Sequence, residues 1–243
     1  MNLLKRDFAV NLALNVWQRI PAPVVHNLSK AQMLKLIFWH LNVDQRPGFY
    51  MEFGVAHGHS MKAAILASRF SNSRQLGVQS MKRSFFGVDT FETFMSSNPI
   101  DIHPVWKSDK FTKSLDQVKH RFRKEKVPIS FLKIDASRLD KESPQSSEFK
   151  KSLIGRAAIL LFDMDLYEPT KSALNWANEF IDEGTFLMFD EFFAFNGSQE
   201  KGEAKAFLEY SHQNPNLVFR DFATYGSGGK VFIVSKPIDA QTK

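Results

Sequence analysis

The sequence predicts an α/β protein built on a doubly wound, mostly parallel sheet of seven strands. Three observations carry that prediction. Short continuous apolar runs, such as Ala157-Ala-Ile-Leu-Leu-Phe162, suit strands covered on both faces. These runs alternate with stretches of helical periodicity, the pattern of βαβ units. The last two runs are joined by Ala223–Gly229, which is too short for a crossover helix, so they form an antiparallel hairpin.

Residues 1–45 read as an N-terminal helical extension. Lys5 and Arg6 precede an apolar stretch, Phe8–Trp17, that imitates a signal peptide, but Asn11 and Asn15 interrupt it and no clear small-residue cleavage site follows. An amphipathic helix on Phe8, Leu12 and Val16 is the better reading. Its face would pack on the main domain, on a second copy of the chain or on a membrane surface. Pro21-Ala-Pro23 ends that helix. A second is expected over Ala31–Leu41, with Leu34, Ile37, Phe38 and Leu41 as its apolar stripe. Arg46-Pro47-Gly48 then opens the main domain, 46–243. Strands are expected at Phe49–Phe53, Phe85–Val88, Ile129–Ile134, Ala157–Phe162, Phe186–Phe189, Val218–Phe222 and Val231–Val234. Helices are expected at Ser60–Arg69, Ser114–Lys126, around Phe149–Leu153, and at Lys171–Phe180 and Gly202–Ser211.

A chain of 243 residues suits one large domain. Its 43% hydrophobic and 24% charged residues exclude disorder as the dominant state, and 24 phenylalanines imply a core rich in rings. The absence of cysteine excludes disulfides, thiolate metal sites and cysteine nucleophiles. The net charge of +6 is modest. Its densest basic stretch, Lys119–Lys126, reads as the solvated face of a helix whose other side carries Leu115, Val118 and Phe122. Nucleic acid is therefore disfavoured as a partner. No run approaches the ~20 apolar residues of a membrane-crossing helix, and a cytoplasmic location is expected.

Ligands of open α/β sheets bind beyond the carboxyl ends of the strands, so the polar residues that close each run are the candidates. The first run ends in Glu52, with Gly54 opening a turn and Gly58 preceding a helix. That Gly-x-x-x-Gly spacing differs from the Gly-x-Gly-x-x-Gly of dinucleotide sites. His57-x-His59, in the same loop, fits an ordinary loop better than a metal site. Asp89 ends the second run, where a carboxylate can accept both hydroxyls of a ribose. Asp135 and Ser137 follow the third, in reach of an adenine edge. Asp163 ends the fourth, and Asp190-Glu191 end the fifth. Neighbouring strands lie about 4.8 Å apart, so these acids converge. A carboxylate cluster repels itself unless a cation or protons intervene, and a hard divalent ion is the natural resolution. Asp165, two residues beyond Asp163, can then serve as a general base.

Together these segments resemble the class I S-adenosylmethionine-dependent methyltransferases, most closely the macrocin O-methyltransferase family of metal-dependent sugar O-methyltransferases from natural-product pathways. The resemblance runs from Phe49 to Tyr210. It rests on Glu-Phe-Gly-Val at 52–55, Gly-Val-Asp-Thr-Phe-Glu at 87–92, Asp-Met-Asp-Leu-Tyr-Glu-Pro-Thr at 163–170, Phe-Asp-Glu-Phe at 189–192 and Gly-Glu-Ala-Lys-Ala-Phe at 202–207. It implies a Rossmann-like methyltransferase fold with S-adenosylmethionine as cofactor. Glu52, Gly54 and Gly58 would shape the methionine end and Asp89 would hold the ribose. Ser60, Thr90, Asp135, Ser137 and Asp163 complete the expected cofactor contacts. Asp163, Asp190 and Glu191 would hold Mg²⁺, and Asp165, assisted by Asp163, would be the catalytic base. Three positions depart from the family pattern: His59 and Thr93 stand where relatives have glycine, and Glu191 stands where they have aspartate.

The implied reaction is metal-assisted transfer of a methyl group to a hydroxyl of a small molecule, a sugar or another diol. Methylation of nucleic acid or protein is the alternative that the charge suggests. Against it, Asp163-Met-Asp-Leu replaces the Asn/Asp-Pro-Pro-Tyr element of amino-group methylases. A non-catalytic nucleotide-binding module on the same fold is the alternative outside catalysis, and a nicotinamide-dependent oxidoreductase is disfavoured by the glycine spacing. The N-terminal helices offer a surface for a homo-oligomer.

Overall fold

Apolar runs too short to make helices find their hydrogen-bond partners side by side, in one sheet. The computed structural model describes residues 3–73, 75–92, 103, 113–141 and 144–236. In order the elements are α1 (Leu3–Gln18), α2 (Ala22–Val43), β1 (Phe49–Phe53), α3 (His59–Phe70), β2 (Phe85–Asp89), α4 (Leu115–Phe122), β3 (Ile129–Lys133) and α5 (Pro144–Ser152). They continue with β4 (Ala157–Phe162), α6 (Tyr167–Ala177), β5 (Phe186–Phe189), a short α7 (Ala194–Gly197), α8 (Gly202–Gln213), β6 (Val218–Tyr225) and β7 (Gly229–Ser235).

The strand order is β3-β2-β1-β4-β5-β7-β6. β1 to β5 pair in parallel, and β7 runs antiparallel to both β5 and β6. This is the doubly wound sheet with a terminal hairpin that the sequence predicts. The hairpin strands are longer than expected, and the glycine-rich loop shrinks to a turn at 226–228.

Alternation along the strands builds two apolar layers. Phe49, Met51 and Phe53 of β1 face the layer completed by Phe162, Trp176, Phe189, Phe207 and Tyr210. Tyr50 faces the other layer, with Phe38, Met61, Phe85 and Phe122. The phenylalanines form a ladder across adjacent strands. Phe53 stacks on Phe162 at 5.2 Å, and Phe162 stacks on Phe189 at 5.0 Å.

The helices start and stop where local chemistry dictates. α2 begins at Ala22, nine residues ahead of expectation, because Pro23 sits in its first turn, where no amide donor is needed. Leu34, Ile37, Phe38 and Leu41 are buried in one layer, as the stripe predicts. α4 opens on a capping box between Ser114 and Gln117. Val118 and Phe122 are buried while Lys119, Arg121, Arg123, Lys124 and Lys126 are exposed, so the basic run is a solvated face. α1 is the departure. It is helical, but Phe8 (71% exposed), Val10, Leu12, Leu14, Val16 and Trp17 are all open. Its apolar residues are distributed around the axis, so the expected stripe of Phe8, Leu12 and Val16 does not define a buried face. No described helix is long and apolar enough to cross a membrane.

The ladder predicts where stability concentrates. Phe162→Ala, at the centre of the sheet, should cost about 3–5 kcal/mol in reversible chemical denaturation, with an unchanged denaturant slope. A loss below about 1 kcal/mol would mean that the ring is not the keystone of this layer.

Candidate active site

The chain leaves β1 toward β2 on one side and later returns to form β4 on the other. The carboxyl ends of β1 and β4 therefore flank a topological switch point. The two ends meet closely there. Asp163 N donates to Phe53 O at 2.9 Å, and Gly54 N donates to Val88 O at 2.9 Å. Gly54 has φ +90°, and a Cβ at that position would lie 1.9 Å from the Asp163 carbonyl oxygen. Only glycine fits. Gly58 is left-handed (φ +72°) and caps α3, with the Phe122 ring filling the space beside it.

Asp89, at the end of β2, is the hub of the loops on this side. Its Oδ2 accepts from Val55 N at 2.7 Å and Ala56 N at 2.8 Å, and its Oδ1 accepts from Phe91 N at 2.8 Å. The residue expected to hold a ribose thus also ties the β1–α3 loop to β2. Thr90 donates to the Glu92 carbonyl. Asp135 accepts from Ser137 N and Oγ at 2.9 and 2.8 Å, closing a turn after β3. Glu52 is fully buried. Its Oε2 accepts from Tyr50 at 2.5 Å and its Oε1 has no partner. Burial pushes its carboxyl up to about 8. Ser60 is buried in the first turn of α3. His57 and His59 stack at 5.7 Å. The departure at Thr93 lies outside the described residues.

On the β4–β5 side lies a cleft of about 650 Å³, whose lining includes His26, Lys30, Ser60, Asp163, Asp165 and Glu191. The expected convergence of acids is present, but so is a residue that sequence reasoning missed. Lys30, from α2, lies between Asp163 and Asp190, with Nζ 2.7 Å from Asp163 Oδ2 and 2.6 Å from Asp190 Oδ2. Asp190 has further donors: His26 Nε2 lies 3.0 Å from Oδ2, and the Tyr225 hydroxyl donates to Oδ1 at 2.8 Å. Ser227 N donates to His26 Nδ1 at 3.1 Å, which leaves the imidazole proton on Nε2, facing Asp190.

Burial works against the Lys30 ammonium, but Asp163 and Asp190 outweigh it and hold its pKa well above the ordinary value. Burial would likewise raise Asp190, yet Lys30 and His26 hold it down, at about 2. The remaining acids are relieved differently. Carboxyl oxygens of Asp165 and Glu191 lie within 4.8 Å of each other, so a charge on Asp165 disfavours one on Glu191. Burial and the neighbouring acids push Glu191 well up, and burial raises Asp165 to about 6. Asp165 stands in the left-handed region (φ 65°). Its N–H and that of Met164 point to Glu203 Oε1, both at 3.3 Å, and Glu191 N donates to Glu203 Oε2 at 3.0 Å. Glu203, fully buried on α8, therefore joins the loops after β4 and β5. It lies in the Gly202-Glu-Ala-Lys segment, where the sequence alone gives it no role. The sign of it was an acid directly after a glycine at a helix start.

A divalent ion held by Asp163, Asp190 and Glu191 does not fit this arrangement. Its place between the two aspartates is filled by the Lys30 ammonium, and both oxygens of Asp190 already accept from protein donors. Ligand atoms of Asp163, Asp165 and Glu191 do lie within 4.8 Å of one another. An ion there would share Asp163 with a buried ammonium, two positive charges in a medium that screens them poorly.

No model of a protein family matches the chain, and no curated protein does. Solved structures do match. The O-methyltransferase NovP superposes with a TM-score of 0.61 at 16% identity, over 84% of this chain and 79% of that one. The apo structure of CalS11, a TDP-rhamnose 3'-O-methyltransferase of calicheamicin biosynthesis, gives 0.54 at 17% identity, over 85% and 79%. An O-methyltransferase from Bacillus cereus in complex with SAH gives 0.50 at 12% identity, over 92% and 86%. At such identities the likeness is one of fold: the chain has the Rossmann-like fold of the class I methyltransferases.

Asp89 offers a test of its double role. Asp89→Ala strands three backbone N–H donors and should destabilise the ligand-free protein by about 1–3 kcal/mol in chemical denaturation. A residue serving a ribose alone would leave the ligand-free stability unchanged.

Proposed function

We propose that the chain is an S-adenosylmethionine-dependent O-methyltransferase acting on a hydroxyl of a small molecule, a sugar or another diol of a natural-product pathway. The observation that carries this reading is the position of Asp165. Its carboxyl lines the cleft just beyond the switch point, beside the loop expected to hold a sulfonium cofactor. NovP, CalS11 and the Bacillus cereus enzyme, all O-methyltransferases by name, support it through the shared fold.

In this reading the methionine end of the cofactor lies against the 54–60 loop, next to Glu52 on β1. Asp89 and Thr90 take the ribose, and Asp135 and Ser137 lie nearest the adenine. The acceptor enters the cleft in front of α2. Its oxygen attacks the methyl carbon while the carbon–sulfur bond breaks, and the thioether product keeps the bonding pair. The hydroxyl proton passes to Asp165. A carboxyl with a pKa near 6 is ionised at neutral pH yet basic enough to accept that proton as charge develops. Asp163 stays beside it, bonded to Lys30. The left-handed backbone at 165 and the Glu203 bridge hold the base still, which is what alignment of oxygen, carbon and sulfur requires.

Calorimetry should detect S-adenosylmethionine or its demethylated product, and labelled cofactor should transfer methyl groups into fractionated small hydroxylated metabolites. Asp165→Asn should bind cofactor as the parent does and lose about 10²–10⁴-fold in kcat. Because the base must be unprotonated, kcat/KM should rise with pH and level off above about 6. Clear binding of a nicotinamide dinucleotide with no response to either sulfur compound would sink the assignment.

A further inference from the structure

We infer that this chain carries its own cation in place of a divalent ion: the Lys30 ammonium neutralises Asp163 and Asp190 and keeps metal out from between them. The geometry is that of a built site. Nζ lies 2.7 and 2.6 Å from the two carboxylates, and the lysine side chain is only 5% exposed. Lys30 is not a loose surface group. It lies one turn from His26 on the same helix face, so α2 presents both donors to Asp190 together. Below them Leu34, Ile37, Phe38 and Leu41 anchor the helix in the core. Mg²⁺ demands a near-octahedral shell of oxygens. To enter between Asp163 and Asp190 it would have to expel a buried ammonium and compete with His26 for Asp190 Oδ2.

The substitution changes what the site does with an acceptor, and this part rests on the methyltransferase reading. An ammonium has hydrogen-bond donors but no open coordination position. The hydroxyl is then oriented by hydrogen bonds and gives its proton to Asp165 without a metal to acidify it. Lys30 is thus a positioning residue, holding Asp163 beside the base.

The test uses Mn²⁺ alone, titrated into chelator-stripped full-length protein and followed by the electron paramagnetic resonance of free Mn²⁺. The parent protein should bind none at this site. Lys30→Met removes the charge and keeps an unbranched side chain only one atom shorter, leaving two carboxylates without a cation. It should bind one Mn²⁺ at least about tenfold more tightly than the parent, given the loss of a buried positive charge. Adding Asp163→Asn should abolish that gain, and Lys30→Arg should keep the ion out. Lys30→Gln serves as a second uncharged variant, with circular dichroism as the check on folding. Stoichiometric binding by the parent that Asp163→Asn removes would overturn the inference, as would folded Lys30→Met and Lys30→Gln variants that bind no better than the parent. If neither variant folds, the parent titration decides alone, binding against the inference and its absence for it. Methyl transfer should persist in excess chelator. Loss restored by Mg²⁺ would also overturn the inference, whereas no transfer under any condition would count against the methyltransferase reading and leave the metal titration standing.

Discussion

A positive charge buried between two carboxylates ties three parts of this molecule together. Parallel strands that end in acids bring those acids within a few ångströms, and the sheet cannot close around them uncompensated. Lys30 resolves this for Asp163 and Asp190, and in doing so joins α2 to the ends of β4 and β5. The early start of α2 follows from the same need. Beginning at Ala22 places His26 and Lys30 over the strand ends, while the later turns of the helix remain in the core. Removing one partner of such a trio is more damaging than its exposure to solvent would suggest, because the partners left behind are buried charges.

The rest of the acid cluster is neutralised by other means, and the difference sets the roles. Burial and the acids around it hold Glu191 towards its neutral form, and Glu203 accepts from three backbone donors. One cation, one carboxyl held towards its protonated form and a set of amides therefore serve five buried or half-buried acids: Asp163, Asp165, Asp190, Glu191 and Glu203. Of these, Asp165 is raised only moderately and also lines the cleft, which suits it to proton transfer. Asp190, held as an anion by Lys30, His26 and Tyr225, already accepts a hydrogen bond on each of its oxygens.

Most of the sheet was legible in the sequence. Continuous runs such as Ala157–Phe162 are buried on both faces, so their pattern does not depend on distant contacts. Strand ends were legible too, since Asp89, Asp163 and Asp190 each close an apolar run. Helix starts were less so: Pro23 reads as a break, yet it is compatible with a first turn. The stripe expected on α1 failed because apolar residues at 8, 10, 12, 14, 16 and 17 leave no polar face to contrast with it. Lys30 was invisible for a different reason. A lysine ahead of an apolar stripe reads as solvated, and only the folded chain shows which strand ends that helix face meets. The spacing of His26 and Lys30 was the available sign, but it means little until acids are known to lie opposite.

Low sequence identity alongside a shared fold follows from the same division of labour. The sheet needs apolar bulk at its strand positions, and many residues supply that; it needs glycine at Gly54, where Asp163 approaches, and only one residue supplies that. Between these extremes lie the charges at the strand ends, which must balance but can balance in more than one way. A metal ion, an ammonium or a shared proton each satisfies the electrostatics while leaving the backbone unchanged. They differ in what they offer a hydroxyl. A metal ion offers acidity, whereas an ammonium held by two carboxylates offers donors whose directions are already set by its partners. In the proposed reaction the burden of removing the proton therefore falls on Asp165 alone. That makes the elevated carboxyl, the left-handed backbone beneath it and the Glu203 bridge parts of one arrangement rather than separate features.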